Sequence, residues 1–280
     1  MFAAPFDYAR PTTLDEALAL LSTHGDEAKL LAGGHSLIPA MKLRLAQPAL
    51  VIDIARIDAL RRVEERDGRL VIGALVTHAE IAANRTLAAS CPLLGEAAAA
   101  IGDLQVRNKG TIGGNLVHAD PAADWPAVIL ALEAELEIAG AKGRRTVKAG
   151  DFFTGMLETA LTPSEILVGI RVPATGASVA YVKTEQKASG FALCGVAAVV
   201  DAKAKRVRVG VTGVAPVAYR ASEVEKALDG QALDAKAIGA AARQAAAGVA
   251  PLADIHASAD FRAHLAEVNT ARALERAASR

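Results

Sequence analysis

Two glycine pairs constrain this chain more than any other feature: Ala32-Gly33-Gly34-His35-Ser36 and Thr111-Ile112-Gly113-Gly114-Asn115. A residue without a Cβ takes positive φ freely and lets consecutive backbone N–H groups converge on one point. Such a concavity seats a phosphate oxygen. Each pair follows a segment able to deliver it to a sheet edge, so two on one domain suggest a diphosphate gripped from both sides. The fold must then bring two loops, distant in sequence, around a dinucleotide. Neither pair matches G-x-G-x-x-G or G-x-x-x-x-G-K-[ST], so a Rossmann fingerprint and a P-loop are both disfavoured.

The 280 residues suffice for two domains of ordinary size, and at 52% hydrophobic they can bury a substantial core. Three capping boxes punctuate them: Thr13…Glu16, Thr77…Glu80 and Ser222…Glu225, each with a hydroxyl at N-cap and a glutamate at N3. The first opens a helix that runs through Leu21 and stops at Gly25. Lys29 to Ala32 then reads as a short buried strand entering the first glycine pair. Val51–Ile54 and Leu70–Ala74 read as further strands, and Thr86 to Ile101 as a helix broken early by Cys91-Pro92. The second pair is expected at the end of a loop, followed by a helix from Pro121 to Leu132. Ile138, Thr146-Val147 and Ile166–Val172 complete the first half with short strands.

Pro173-Ala174-Thr175-Gly176-Ala177-Ser178 is the most linker-like stretch, and the pattern changes beyond it. Three strand-like runs, Val179–Lys183, Phe191–Val200 and Arg206–Gly213, precede helical segments from Ser222, from Asp234 to Gly248 and from about Ala259 onward. Strands followed by helices indicate helices packed on one face of an antiparallel sheet. The expected class is therefore α+β with two domains, 1–175 and 176–280.

Composition removes several functions. Lys+Arg and Asp+Glu balance at 31 each, which leaves no basic field for nucleic acid. No apolar run approaches the ~20 residues of a membrane span, and the opening residues lack a signal peptide's n- and h-regions, so a cytoplasmic protein is expected. Two cysteines, Cys91 and Cys194, fall short of the roughly four thiolates that a protein-held iron–sulfur cluster wants. They read as structural thiols, with Cys91, beside Pro92, near the surface. His118, Asp120 and Asp124 invite a metal reading, but no second histidine is near and polar turns of this kind are commonly helix entries. Ser36 lacks a nucleophile elbow, which argues against hydrolase chemistry. No catalytic acid, base or metal ligand is assigned. Lys183, in Tyr181-x-Lys183, starts a strand after the linker. It is either a solvated strand-face residue or a cation over the cleft between domains, where ligands often bind.

Leu31-Ala32-Gly33-Gly34-His35-Ser36-Leu37-Ile38-Pro39-Ala40-Met41-Lys42-Leu43-Arg44 resembles the flavin-binding medium subunit of the molybdenum hydroxylases, the xanthine dehydrogenase and aerobic carbon monoxide dehydrogenase group. Gly110-Thr111-Ile112-Gly113-Gly114-Asn115-Leu116, continuing as His118-Ala119-Asp120-Pro121-Ala122-Ala123-Asp124, resembles that family's second diphosphate loop. The resemblance implies FAD bound in an N-terminal domain of the vanillyl-alcohol-oxidase/PCMH fold. Carried over by position, Leu30, Leu31, Ala32, Gly33, Gly34, His35, Ser36 and Leu37 form the first FAD loop, and Thr111, Ile112, Gly113, Gly114 and Asn115 the second. Ile101, Asp124, Leu167 and Lys183 are the remaining implied contacts.

It further implies a small subunit carrying [2Fe–2S] clusters and a large molybdopterin subunit as partners, assembled as a heterohexamer. This chain would take electrons from a cluster and pass them to an external acceptor. A stand-alone flavoprotein oxidase and a non-catalytic nucleotide-binding assembly module are the alternatives. The first needs a covalent flavin anchor or a roomy substrate cap; the second predicts bound FAD that cannot be reduced.

Overall fold

In the structure, a computed structural model that describes residues 2–280, β1 (Asp7–Ala9) leads into α1 (Leu14–His24) through a complete capping box. Thr13 accepts from the Glu16 N–H at 3.3 Å, and the Glu16 carboxylate accepts from the Thr13 N–H. Gly25, at φ +53°, ends the helix. β2 (Ala28–Leu31), α2 (Leu37–Lys42) and β3 (Leu50–Asp53) follow, and the three strands form a parallel sheet in the order β1-β3-β2. The central strand β3 is buried throughout, whereas β2 lies at an edge and buries only Ala28 fully. The expectation of a wholly buried strand before the first glycine pair is corrected accordingly.

β4 (Val63–Arg66) and β5 (Arg69–Gly73) make a hairpin. Five short helices come next: α3 (His78–Ala83), α4 (Arg85–Ser90), α5 (Pro92–Ala99), α6 (Leu104–Lys109) and α7 (Ile112–His118). The Thr77…Glu80 box forms as read. Cys91 separates α4 from α5 but is 0% exposed, packed with Leu87, Leu93 and Leu94, so its expected surface position is wrong. Its N–H closes α4 on the Leu87 carbonyl, which holds the residue in the core. α8 (Trp125–Ala131), β6 (Glu135–Gly140), β7 (Gly143–Lys148), the ribbon β8 (Phe153–Gly155) and β9 (Glu158–Thr159), and β10 (Ile166–Pro173) complete this half. The larger sheet runs β4-β5-β10-β6-β7, antiparallel at every pairing. Its edges, Val-Glu-Glu-Arg and Gly-Arg-Arg-Thr-Val-Lys, are charged, which blunts pairing with other chains.

The second half is an antiparallel meander of β11 (Ser178–Glu185), β12 (Ala192–Asp201), β13 (Arg206–Thr212) and β14 (Tyr219–Arg220). α9 (Ser222–Leu228), α10 (Ala235–Ala242) and α11 (Ala259–Ala278) follow it, and their apolar residues join one core with Val196, Val200 and Val211 of the sheet. The α+β class and the two-part architecture expected from the sequence are both present. The third capping box is not: α9 begins after Ala221, and Ser222 caps nothing. Glu225 has stronger partners, since it pairs with Arg220 at 2.6 Å and accepts from the Val209 N–H at 2.8 Å. α10 also ends at Ala242, short of the expected Gly248.

α8 joins the halves. Every one of its residues is buried. It packs so closely on β13 that a Cβ at Gly210 would lie 2.0 Å from the Ala127 carbonyl oxygen. The helix expected from Pro121 starts only at Trp125, because Pro121 to Ala123 are spent on the second half's strand ends. Their carbonyls accept from the Ala192 and Gly213 N–H groups at 3.1 and 2.8 Å and from Thr212 Oγ1. Such donors sit far along the chain, beyond the reach of a local pattern.

Candidate functional site

The glycine pairs meet, but they do different work. Residues 32–36 leave the end of β2 as a tight turn with Gly34 at φ +80°. No described residue accepts a hydrogen bond from the N–H of Gly33, Gly34, His35 or Ser36. Four successive unspent donors around a left-handed residue make the anion-binding concavity that the sequence suggests. Gly33 also lets the turn approach its neighbour: a Cβ there would lie 2.1 Å from the Lys109 carbonyl oxygen. Leu30 and Leu31 bring β2 to this turn, and Leu37 begins α2 after it.

The second pair lies inside the first turn of α7, not at the end of a loop. Its donors are consumed. Ile112 N–H bonds Val76 O at 3.0 Å, Gly113 N–H bonds Ala74 O at 2.9 Å, and Gly114 N–H bonds Thr111 Oγ1 at 3.1 Å. Asn115 N–H bonds the Thr111 carbonyl. Gly113 is a packing residue, since a Cβ on it would lie 2.5 Å from the Ala74 Cβ. Gly114 is exposed, and a Cβ on it would reach toward Ala32 of the first turn, 3.8 Å from that Cβ. A backbone grip from both sides is thus corrected to free amides on one side and a bare helix face on the other. Asn115 contributes a further sign of a missing partner, because its buried Oδ1 has no hydrogen bond within the protein. A recess of about 360 Å³ opens beside the turns, lined among others by Ala32, Gly33, Arg61, Thr77, Lys109 and Thr111.

The scattered residues gather at a second place, where the halves meet. Asp124 is 4% exposed, and Lys183 Nζ lies 2.9 Å from its Oδ1 and 3.1 Å from its Oδ2. Nζ also donates to the Ala100 carbonyl at 2.9 Å, which places the pair beside Ile101. Tyr181 Oη donates to Asp124 Oδ1 at 2.5 Å. Burial raises the Asp124 carboxyl, while the Lys183 charge and the Tyr181 hydrogen bond pull it back toward ionisation. Burial, then the Asp124 charge, pushes the Tyr181 phenol well above its usual range. Lys183 is therefore the buried half of an ion pair, and not a solvated strand-face cation. It lines a cleft of about 560 Å³ with Glu96, Ala100, Tyr181, Glu185 and Arg276. Glu96 ties the walls together, accepting from the Tyr181 N–H at 3.1 Å and pairing with Arg276 and Arg280 of the C-terminal segment.

The two places are connected. His78 N–H bonds the Gly110 carbonyl at 3.0 Å, and Trp125 Nε1 donates to His78 Nδ1 at 3.0 Å. Burial, with the charges of His35 and Arg107 nearby, brings His78 down to about 4, so it is neutral at pH 7 and carries its proton on Nε2. Leu167 lies on β10 at an irregularity before Gly169, in the same apolar cluster as Ile101. The adjacent Val168 carbonyl accepts from Ala74, which itself receives the Gly113 N–H. Tyr181, His78 and Trp125 lie outside the residues that the sequence points to. Only Tyr181 carried a signal, since strand alternation puts it on the same face as Lys183. Asp120 accepts from the Ala122 N–H at 2.8 Å as a turn cap, and among the described residues no three His, Cys, Asp or Glu form a metal-sized cluster. No helix among them is long and apolar enough to cross a membrane.

Known proteins share both halves of this architecture. Residues 4–175 match the FAD binding domain in molybdopterin dehydrogenase, and residues 179–277 match the CO dehydrogenase flavoprotein C-terminal domain. The chain is 42% identical over 285 residues to the carbon monoxide dehydrogenase medium chain of Hydrogenophaga pseudoflava, covering 100% of this chain and 99% of that one. It is 36% identical to the nicotine 6-hydroxylase medium subunit of Paenarthrobacter nicotinovorans, with 98% and 97% covered. The solved carbon monoxide dehydrogenase from Hydrogenophaga pseudoflava that lacks the Mo-pyranopterin moiety of its cofactor superposes with a TM-score of 0.96 at 43% identity, covering 100% of this chain and 99% of that chain.

Proposed function

This chain belongs to the family of FAD-binding medium subunits of the carbon monoxide dehydrogenase-type molybdenum hydroxylases, and on that premise we propose that it is the electron-exit subunit of such a complex. It is an oxidoreductase component that binds FAD. In our reading it takes electrons from [2Fe–2S] clusters of a small partner subunit and delivers them to an external acceptor. A large molybdopterin subunit selects and oxidises the substrate, in keeping with relatives named for substrates as unlike as carbon monoxide and nicotine.

The observation that carries this reading is the run of free amides on the first turn, with bare Gly114 close to Ala32 at its start. The residues fit a diphosphate there. The N–H groups of Gly33 to Ser36 hold one side, and the Cβ-free surface of Gly114 leaves room on the other. Ile101 and Leu167 supply apolar surface, and the Asp124–Lys183 pair supplies fixed charge at the junction. When bound, FAD supplies the conversion between one-electron and two-electron transfer; the protein contributes binding, orientation and electrostatics. Cys91 and Cys194, buried with thiols raised to about 12, are poor cluster ligands, which supports placing the clusters on a partner. We divide the chain into a FAD-binding domain, 1–175, and a C-terminal domain, 176–280.

The test is an absorbance titration of the purified chain with FAD, followed by dithionite reduction. Near-stoichiometric flavin bands that bleach support the assignment. Bound flavin that resists reduction refutes a redox role, and absence of binding both alone and with co-expressed partners refutes the site.

A further inference from the structure

Asp124, which pairs with Lys183 beside Ile101, also accepts a hydrogen bond from a side chain outside the implied set of contacts. We propose that Tyr181, seated over Gly195, is a positioning residue of the FAD site: it holds the Asp124 carboxylate in one orientation and in its charged form. The proposal rests on the FAD reading above.

Lys183 donates to Asp124 Oδ2 and to the Ala100 carbonyl, and its ammonium also lies 2.9 Å from Asp124 Oδ1 as an ion pair. An ionised carboxylate accepts at about four lone-pair positions. Lys183 donates to Oδ2 and the Tyr181 hydroxyl donates to Oδ1, so each oxygen is fixed by its own donor. Lone pairs on both oxygens stay open, and the Tyr181 bond to Oδ1 fixes the rotation of the carboxylate that aims them. A phenol donates more strongly to an ionised carboxylate than to a neutral acid, so the same bond favours the charged form.

Gly195 makes this possible. It pairs with Lys183 across β11 and β12, and a Cβ on it would lie 2.3 Å from Tyr181 Oη and 3.0 Å from the Thr212 methyl. Any larger residue pushes the phenol off Asp124. The other titratable groups around the pair are Glu185 of β11, Glu96 of α5 and Arg276 of α11, which share the cleft, and Cys194 of β12, whose field reaches the phenol. All are unchanged in the variants below.

The experiment titrates FAD into the full chain, wild type and Tyr181→Phe, from pH 5 to 8. Loss of a hydrogen bond to a charged group should weaken FAD binding about tenfold at pH 7. Because that bond lowers the Asp124 carboxyl, the acid limb of the binding profile should also move to higher pH. Gly195→Ala should show the same defect, and should add nothing further when combined with Tyr181→Phe. Superimposable affinity and pH profile for Tyr181→Phe, with only a lower melting temperature, would overturn the proposal. So would a Gly195→Ala defect undiminished in the double variant, a comparison that serves even if one single variant folds poorly. Wild-type protein that binds no FAD under any condition would overturn the FAD reading itself, and this inference with it.

Discussion

Replacing Gly114 with valine separates binding from folding. Gly114 lies in the first turn of α7, where valine is the better helix former by a few tenths of a kcal/mol. Against this, the new Cβ would lie 2.9 Å from Thr111 Oγ1. The hydroxyl must turn away and release its cap on the residue 114 N–H, a loss of about 1 kcal/mol. The net destabilisation stays below about 1 kcal/mol, a shift of about 2–4 °C in melting temperature for a chain of this size. Binding fares differently. That Cβ already touches the Ala32 Cβ at 3.8 Å, so the two further methyl groups occupy the space between the turns. FAD binding should fall at least ~100-fold, equivalent to about 2.7 kcal/mol. Circular dichroism melting and flavin fluorescence titration on the same sample read both quantities. A folded Gly114→Val protein that binds FAD within about threefold of wild type, under ~0.7 kcal/mol, would remove this helix face from the site.

Gly33→Ala should damage both properties, because its Cβ meets backbone at Lys109 and the turns must part by roughly 1 Å. A loss of about 1–3 kcal/mol in stability and weaker FAD binding should appear together in the same two assays. Lys183→Met strands the buried Asp124 charge, at about 3–5 kcal/mol near neutral pH; the deficit should shrink as acid protonates the carboxyl, and a melting-temperature difference flat between pH 5 and 8 would contradict the ion pair. His78 is held neutral, its folded value about 4 against 6.5. The unfolded chain binds the proton more readily, so stability should decline as pH falls from 6.5 through 4, and His78→Gln should flatten that slope in a pH series of melts.

Local chemistry was legible in the sequence and long-range partnership was not. The Thr13 and Thr77 boxes need only neighbours three residues away, and both formed. The Ser222 box has the same letters, yet Glu225 had a better partner in Arg220 and a donor in Val209. The strands of the second half declared themselves by alternation and β-branching. Both glycine pairs point to one place in the sequence and do come together, but their spacing does not say that Gly113 serves Ala74 while Gly33 serves Lys109. Asp124 and Lys183 came from family likeness as separate contacts; that they neutralise one another depends on the docking of β11 against the first half, which no local pattern encodes.

The burial of α8 has a consequence for synthesis on the ribosome. Trp125 to Ala131 expose an almost wholly apolar surface until β13 covers one side of it, and β13 is made roughly 80 residues later. At about 5–20 residues per second that interval is about 4–16 s, long enough for the nascent chain to need shielding by a chaperone. The first domain can gather its sheets before then, but it cannot close. Recombination that exchanged the C-terminal domain between relatives would have to carry the matching glycine at 210, so the two domains are expected to travel through evolution as a pair.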